Sequence, residues 1–234
     1  MFWQRLVQPP VIAPSLYASD FTRLGEQIET LLTAGARVFH FDMGDGHFIE
    51  PVTIGPIVIE SIAPLVHAGG GVIDCHLMVE EPERHIRQVA DAGGDSVTVH
   101  LEACADLPGT VALARELGLG AGLAVNPGTP VERALEAAGA VDLVLCMSIH
   151  PGYSGQAFMP EALDRLAALR EGLPPEVLVE VDGGVKATNA REIGAAGADV
   201  LVVGSGIFAA AQPAAAYEGL AASLAVASAA AAVR

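Results

Sequence analysis

Short runs rich in Val, Ile and Leu alternate along this chain with amphipathic stretches of ten to fifteen residues. A strand inside a parallel sheet is apolar on both faces, whereas a helix brings an apolar residue back to its buried side every third or fourth position. On that basis the chain reads as eight strand-then-helix units. Strands are expected at 10–16, 37–43, 72–78, 96–102, 120–126, 142–149, 177–182 and 199–204. Helices are expected near 20–34, 56–66, 82–92, 106–117, 130–138, 160–171, 188–196 and 212–224. Helix starts are marked by Pro82 after Glu80 and Glu81, by Pro160 before Glu161, and by Thr188 before Asn189. Helix exits are marked by Ala-Gly pairs at 34–35, 92–93, 138–139 and 196–197 and by Leu-Gly at 117–118, where glycine allows a left-handed cap.

Such repetition predicts a (β/α)8 TIM barrel in a single α/β domain over 1–234, with an Ala-rich tail at 225–234 read as a last helix that packs or frays. In a barrel the strand C-termini and the loops after them converge on one rim. A doubly wound open sheet would spread them along a line, and no G-x-G-x-x-G opens a helix after the first strand.

Four polar residues close apolar runs on that rim: His40 and Asp42 in VFHFDM, His76 in VIDCHLM, and Asp182 in VLVEVDGG. His40 and Asp42 lie two apart on one strand, so their side chains share a face and can reach one ion. Two imidazoles and two carboxylates suit a divalent metal such as Zn, Fe(II), Mn or Co.

Composition narrows the remaining classes. A net charge of −16 and a pI near 4.6 repel nucleic acid and anionic membrane surfaces, so neither is expected as a partner. Lys186 is the only lysine, so a phosphorylated substrate would have to be held by backbone N–H groups. Three loops supply the glycine for this: Gly152 to Gly155, Gly183-Gly184, and Gly204-Ser205-Gly206. Cys75, Cys104 and Cys146 lack metal-ligand spacing and suit a reducing cytoplasm, and Met1 to Gln8 lacks the apolar segment of a secretion signal.

At these residues the chain resembles the ribulose-phosphate 3-epimerase family. The resemblance rests on IAPSLYASDF (12–21), His40-Phe-Asp with Asp45-Gly-His-Phe, TIGP (53–56), DCHLM (74–78), TVHLEA (98–103), NPGTP (126–130), MSIHPGYSGQ (147–156), EVDGGV (180–185) and GSGIF (204–208). It implies a divalent metal held by His40, Asp42, His76 and Asp182, with no organic cofactor. It also implies interconversion of D-ribulose 5-phosphate and D-xylulose 5-phosphate by proton transfer at C3, with Asp42 and Asp182 as the acid and base. Substrate contacts carried over are Ser15, His76, Met78 and Met147, with Gly152, Tyr153, Ser154, Gly155, Asp182, Gly183, Gly184, Gly204 and Ser205. His100, Glu102 and Asn126 read as packing or supporting groups. The chain departs from the family pattern at Gly44, where a methionine is usual, at Pro51 and His150, where asparagine is, and at Tyr153-Ser154 in a Gly-Phe-Gly-Gly loop. Met43 is one position early and should face away from the site by strand alternation.

Three other readings stay open. One is a 3-epimerase of another ketose phosphate such as D-allulose 6-phosphate, and another is an inactive metal-binding barrel with a regulatory role. The third, an aldolase or decarboxylase, would need a lysine at a strand end, and Lys186 sits beyond Gly184 on the helix side of its loop. A phosphate contact from Lys186 is nevertheless considered, and a homo-oligomer is compatible with the sequence.

Overall fold

The computed structural model describes Trp3 and residues 9–231. The expectations for the rest of 1–8, and for 232–234 of the tail, lie outside the described residues.

Eight parallel strands form one sheet: β1 Val11–Pro14, β2 Val38–Gly44, β3 Val72–Met78, β4 Ser96–His100, β5 Gly120–Val125, β6 Leu143–Met147, β7 Leu178–Asp182 and β8 Val200–Val203. Their order is β1-β8-β7-β6-β5-β4-β3-β2, and a parallel bridge from Ser15 to His40 joins the two ends. Apart from the β1–β8 pair, each neighbour is therefore next in sequence, as short crossovers allow. The helices outside the sheet are α1 Leu24–Thr33, α2 Pro56–Ala68, α3 Glu83–Ala92, α4 Leu107–Glu116, α5 Val131–Ala137, α6 Ala162–Gly172, α7 Ala190–Ala195, α8 Ser205–Phe208 and α9 Pro213–Ala231.

Strand alternation divides the core in two. Phe39, Phe41, Ile73, Cys75, Leu77, Val97 and Val99 belong to the larger cluster, which packs the sheet against the helices. Val38, Val72, Leu143, Leu145, Leu178, Val200 and Val202 belong to the second, which fills the barrel together with Trp3. Burying an aromatic or branched side chain of this kind stabilises the fold by roughly 1.5–3 kcal/mol. His40 and Asp42 lie in step with Val38 and so point inward.

Several expected boundaries shift. The stretch 20–34 opens with a 3-10 turn at Phe21–Arg23, capped by Asp20, before α1 begins. β1 stops at Pro14 because the chain turns at once into a second 3-10 segment, Leu16–Ala18. Gly35, Gly93, Gly118 and Gly197 take the positive φ expected of helix exits. Gly139 does not, because α5 leaves through a 3-10 turn at Ala138–Ala140.

Two rim glycines separate backbone freedom from space. A Cβ on Gly184, at φ +64°, would come within 2.3 Å of the Phe158 backbone nitrogen, whereas one on Gly155, at φ +87°, meets nothing within 4 Å. Gly184→Ala should cost about 2–4 kcal/mol in urea unfolding, since it adds a backbone clash to the strain. Gly155→Ala should cost about 1–2 kcal/mol from strain alone. Equal losses would show that the close approach of Gly184 to residue 158 carries no energy.

Candidate active site

The site is built on β2, β3 and β7. Register pairs His40 with Asp74, Asp42 with His76, and Met147 with Asp182, so the inward residues of neighbouring strands meet at the same heights. His40 Nε2 and His76 Nδ1 each lie 3.3 Å from Asp42 Oδ1, and His76 Nδ1 lies 4.0 Å from Asp182 Oδ2. The ligand atoms of His40, Asp42, His76 and Asp182 all fall within 4.8 Å of one another. The remaining oxygen of Asp42 accepts a 2.6 Å hydrogen bond from Ser15 Oγ. Ser15, the expected substrate contact, thus has its hydroxyl engaged with Asp42.

A deeper layer supports this one. His40 Nδ1 lies 3.1 Å from Asp74 Oδ2 and 3.5 Å from Glu180 Oε1, and the other oxygen of Asp74 accepts from Ser96 Oγ at 2.6 Å. Asp74, the closer of the two, places the imidazole proton on Nδ1, so Nε2 is directed at the site, while burial and the charge of Asp74 push Glu180 up to about 8. His40 Nε2 is buried and has no hydrogen-bond partner. Asp74 and Glu180 escaped the sequence reading, although each lies two residues before a proposed ligand and so on the same strand face.

The charges follow from this packing. Burial opposes charge on His40, yet Asp42, Asp74 and Glu180 outweigh it and hold the ring well above the ordinary histidine range. Burial would raise Asp42, but His40 and His76 outweigh that and hold it far below the usual carboxylate range. Asp182 is pushed up to about 7 by burial and by the charge of Asp42. Burial pulls His76 down to about 4.

The donor set could hold a divalent ion. In a tetrahedron with bonds near 2.0–2.1 Å, ligand atoms stand about 3.3 Å apart. Asp42 Oδ1 has that spacing to both imidazole nitrogens. A ring nitrogen without a partner and a carboxylate oxygen facing it are what a cation would satisfy.

Above this set opens a cavity lined by Ser15, Asp42, Met78, Met147 and Asp182. The three glycine loops close its other side with Gly152, Tyr153, Ser154, Gly155, Gly183, Gly184, Gly204 and Ser205. His76 lies beneath, fully buried. Ser148 Oγ donates to the carbonyls of Asp182 and Gly183 at 2.8 and 2.7 Å, which fixes the start of the β7 loop. Arg165, which the sequence reading missed, ties the ends of β5 and β6 by donating to Asn126 O at 2.8 Å and Met147 O at 3.2 Å. Lys186 is exposed and does not line the cavity; its backbone N–H donates to Asn189 Oδ1.

Met43 packs in the outer cluster, as alternation requires. Gly44 faces the other way, and a Cβ there would lie 2.4 Å from Ile49 Cδ1. Ile49 occupies the space a larger residue at 44 would fill.

The described helices include none long and apolar enough to cross a membrane. In overall shape the chain is similar to 3-hexulose-6-phosphate synthase from Salmonella typhimurium, with a TM-score of 0.69 at 18% identity over 92% of this chain and 99% of that one. Orotidine 5'-phosphate decarboxylase from Pyrococcus horikoshii gives 0.68, also at 18% identity, over 92% and 99%. At that identity the likeness establishes the TIM-barrel fold alone. In sequence the chain is 42% identical to the ribulose-phosphate 3-epimerase of Synechocystis sp. over 205 residues, which is 85% of this chain and 87% of that one. It is 42% identical to the enzyme of that name from Escherichia coli over 201 residues, covering 85% and 88%. A sequence model described as the Ribulose-phosphate 3 epimerase family matches residues 11–208, and with these relatives it establishes that the chain belongs to that family.

Proposed function

We propose that this chain interconverts D-ribulose 5-phosphate and D-xylulose 5-phosphate, moving a proton at C3 between two carboxylates beside a divalent metal. The observation that carries this reading is that Asp42 and Asp182, from β2 and β7, both line the cavity and bring carboxylate oxygens within 4.8 Å of the ring nitrogens of His40 and His76. In the metal-free site the imidazoles hold Asp42 ionised while burial pushes Asp182 up to about 7, so the pair offers a base and an acid.

In one direction Asp42 takes the C3 proton, the C–H electrons pass into the C2–C3 bond, and the carbonyl π electrons move onto the C2 oxygen as an enediolate. Asp182 then returns a proton to C3 from the other face. Asp42 is left protonated and Asp182 ionised, and exchange with solvent restores them. The reverse reaction uses the same groups with their roles exchanged. His40, Asp42, His76 and Asp182 would hold the metal, which when bound supplies a positive charge close to the developing oxyanion. Ser15 fixes the rotamer of Asp42 by its bond to Oδ2. Met78 and Met147 give the reacting carbons an apolar wall that keeps water away.

The phosphate would lie against the Gly152–Gly155, Gly183-Gly184 and Gly204-Ser205 loops, whose glycines allow close approach of backbone N–H groups. Lys186 stands outside that wall, which argues against a Schiff-base role and against a direct phosphate contact.

D-Ribulose 5-phosphate converted in heavy water should yield D-xylulose 5-phosphate carrying deuterium at C3. Product free of deuterium would sink the two-carboxylate route. Chelation should abolish turnover and added metal restore it, with His40→Ala lowering bound metal as well as activity; full turnover by metal-free protein would refute the metal's role.

Asp42→Asn and Asp182→Asn should each lower epimerisation by about 10²–10⁴-fold, since each removes one acid–base group. One of the two should retain C3 exchange on one substrate epimer. Near-normal epimerisation by either variant, with metal bound, would be incompatible with the assignment.

Asp182 also sets a pH dependence of stability. Its pKa rises on folding from 3.8 to about 7, so across that window the folded chain holds a proton the unfolded chain has released. That contribution is full below about 4 and is lost as pH rises through about 7. Metal-free wild type should therefore lose stability relative to Asp182→Asn between those pH values, as read by urea unfolding. A difference that stays flat, or has the opposite slope, would show that Asp182 is not held protonated.

A further inference from the structure

The second imidazole of the site is backed by a buried chain that runs away from it. His76 Nε2 lies 2.8 Å from His100 Nε2, and His100 Nδ1 lies 3.3 Å from Glu102 Oε2. Both rings are buried, and Phe48 covers His100 with ring centroids 4.7 Å apart. The other oxygen of Glu102 accepts from the backbone N–H of Asn126 at 2.9 Å and from Thr129 Oγ1.

Two ring nitrogens at hydrogen-bond distance need one proton between them, because two lone pairs or two N–H groups would repel. Glu102 decides who owns it. Its Oε2 can only accept from His100, which puts the His100 proton on Nδ1 and leaves His100 Nε2 as the acceptor. Asp42 Oδ1 competes for the His76 proton from the other side of the ring, but its contact with Nδ1 is the longer, 3.3 Å against 2.8 Å between the rings, and it also faces His40 Nε2; the proton therefore goes to His76 Nε2, and Nδ1 is left for an ion. Glu102 is held ionised: burial would raise it, but the bonds from His100, Thr129 and Asn126 bring it down to about 2.

We propose that Glu102 and His100 are positioning residues that fix the tautomer of His76, so that its Nδ1 is presented as a metal ligand. This extends the metal reading above and rests on it. Asp74 does the same for His40 directly, across 3.1 Å. For His76 the instruction passes through an intervening ring from a carboxylate in the turn after β4, two residues beyond His100.

The geometry makes a sharp prediction for Glu102→Gln. Asn126 N–H and Thr129 keep the side-chain oxygen on their side, so the new amide NH₂ faces His100 Nδ1 and must donate to it. His100 then carries its proton on Nε2, His76 Nε2 must accept, and the His76 proton moves to Nδ1, against the metal position. The shape is nearly unchanged, but the relay runs backwards.

The test uses full-length, metal-free protein with ¹⁵N-labelled histidine, in which long-range proton–nitrogen spectra report the tautomer of each ring, together with cobalt(II) titration followed by visible absorption. In wild type His76 should carry its proton on Nε2 and His100 on Nδ1. In Glu102→Gln both should switch, and cobalt affinity should fall about 10–100-fold, the usual cost of losing a ligand's orienting partner. Urea unfolding of the variant checks that it is folded. Wild-type His76 protonated at Nδ1 would overturn the proposal. So would a variant that keeps the wild-type tautomers, whatever its affinity, or one that switches them and binds cobalt within twofold of wild type. Wild type that takes up no cobalt would overturn the metal centre and this role with it, and the metal-free spectra distinguish that failure from a failure of the relay alone.

Discussion

A carboxylate oxygen facing two imidazole nitrogens is the constraint around which the mouth of this barrel is organised. Asp42 Oδ1 stands 3.3 Å from both His40 Nε2 and His76 Nδ1, in a place where all three side chains are buried. Were both nitrogens bare, the arrangement would set three lone pairs against one another in a low-dielectric interior, where such repulsion is felt strongly. A positive charge in their midst removes the conflict, whether a proton on an imidazole or a metal ion. The deeper carboxylates bear on which it is: Asp74 directs the His40 proton to Nδ1, while Glu102 acts on His76 through His100.

The barrel makes this crowding affordable in structural terms because its strands alternate strictly. Phe39, Phe41, Ile73 and Cys75 hold β2 and β3 against the helices while the residues between them point inward. Parallel register then brings His40 level with Asp74 and Asp42 level with His76. Below them, Val38, Val72 and Trp3 belong to the apolar filling that closes the barrel interior. The polar layers lie between that filling and the cavity, where water is largely excluded and each charge is felt by its neighbours. The spread between Asp42 and Asp182 follows from this, since equal carboxylates close together cannot both remain ionised cheaply.

Much of this was legible in the sequence, and for physical reasons. Eight apolar runs separated by helical patterns leave few alternatives to a closed barrel, and the two-residue spacing of His40 and Asp42 fixes a common face. Strand alternation alone points Met43 outward, where it packs. What stayed hidden depended on distances across strands. Nothing in the spacing of TVHLEA reveals that His100 touches His76, 24 positions away, or that Glu102 is gripped by Asn126 and Thr129. Ser15, which the resemblance gives as a substrate contact, lines the cavity, but its bond to Asp42 depends on a distance the sequence does not carry. Lys186 is the only lysine, yet the turn after Gly184 carries it out of the cavity wall. Asp74 and Glu180 could have been found, since they share a strand face with His76 and Asp182; their neighbours simply gave a stronger signal.

The central claim is that His40 Nε2, Asp42, His76 Nδ1 and Asp182 form one metal centre. Crystals of the metal-loaded protein, measured on both sides of the metal's absorption edge, test it most directly. The account predicts a single strong anomalous peak about 2.0–2.3 Å from those two nitrogens and two carboxylates. An ion bound elsewhere in an active preparation, or one held without either imidazole, would contradict it.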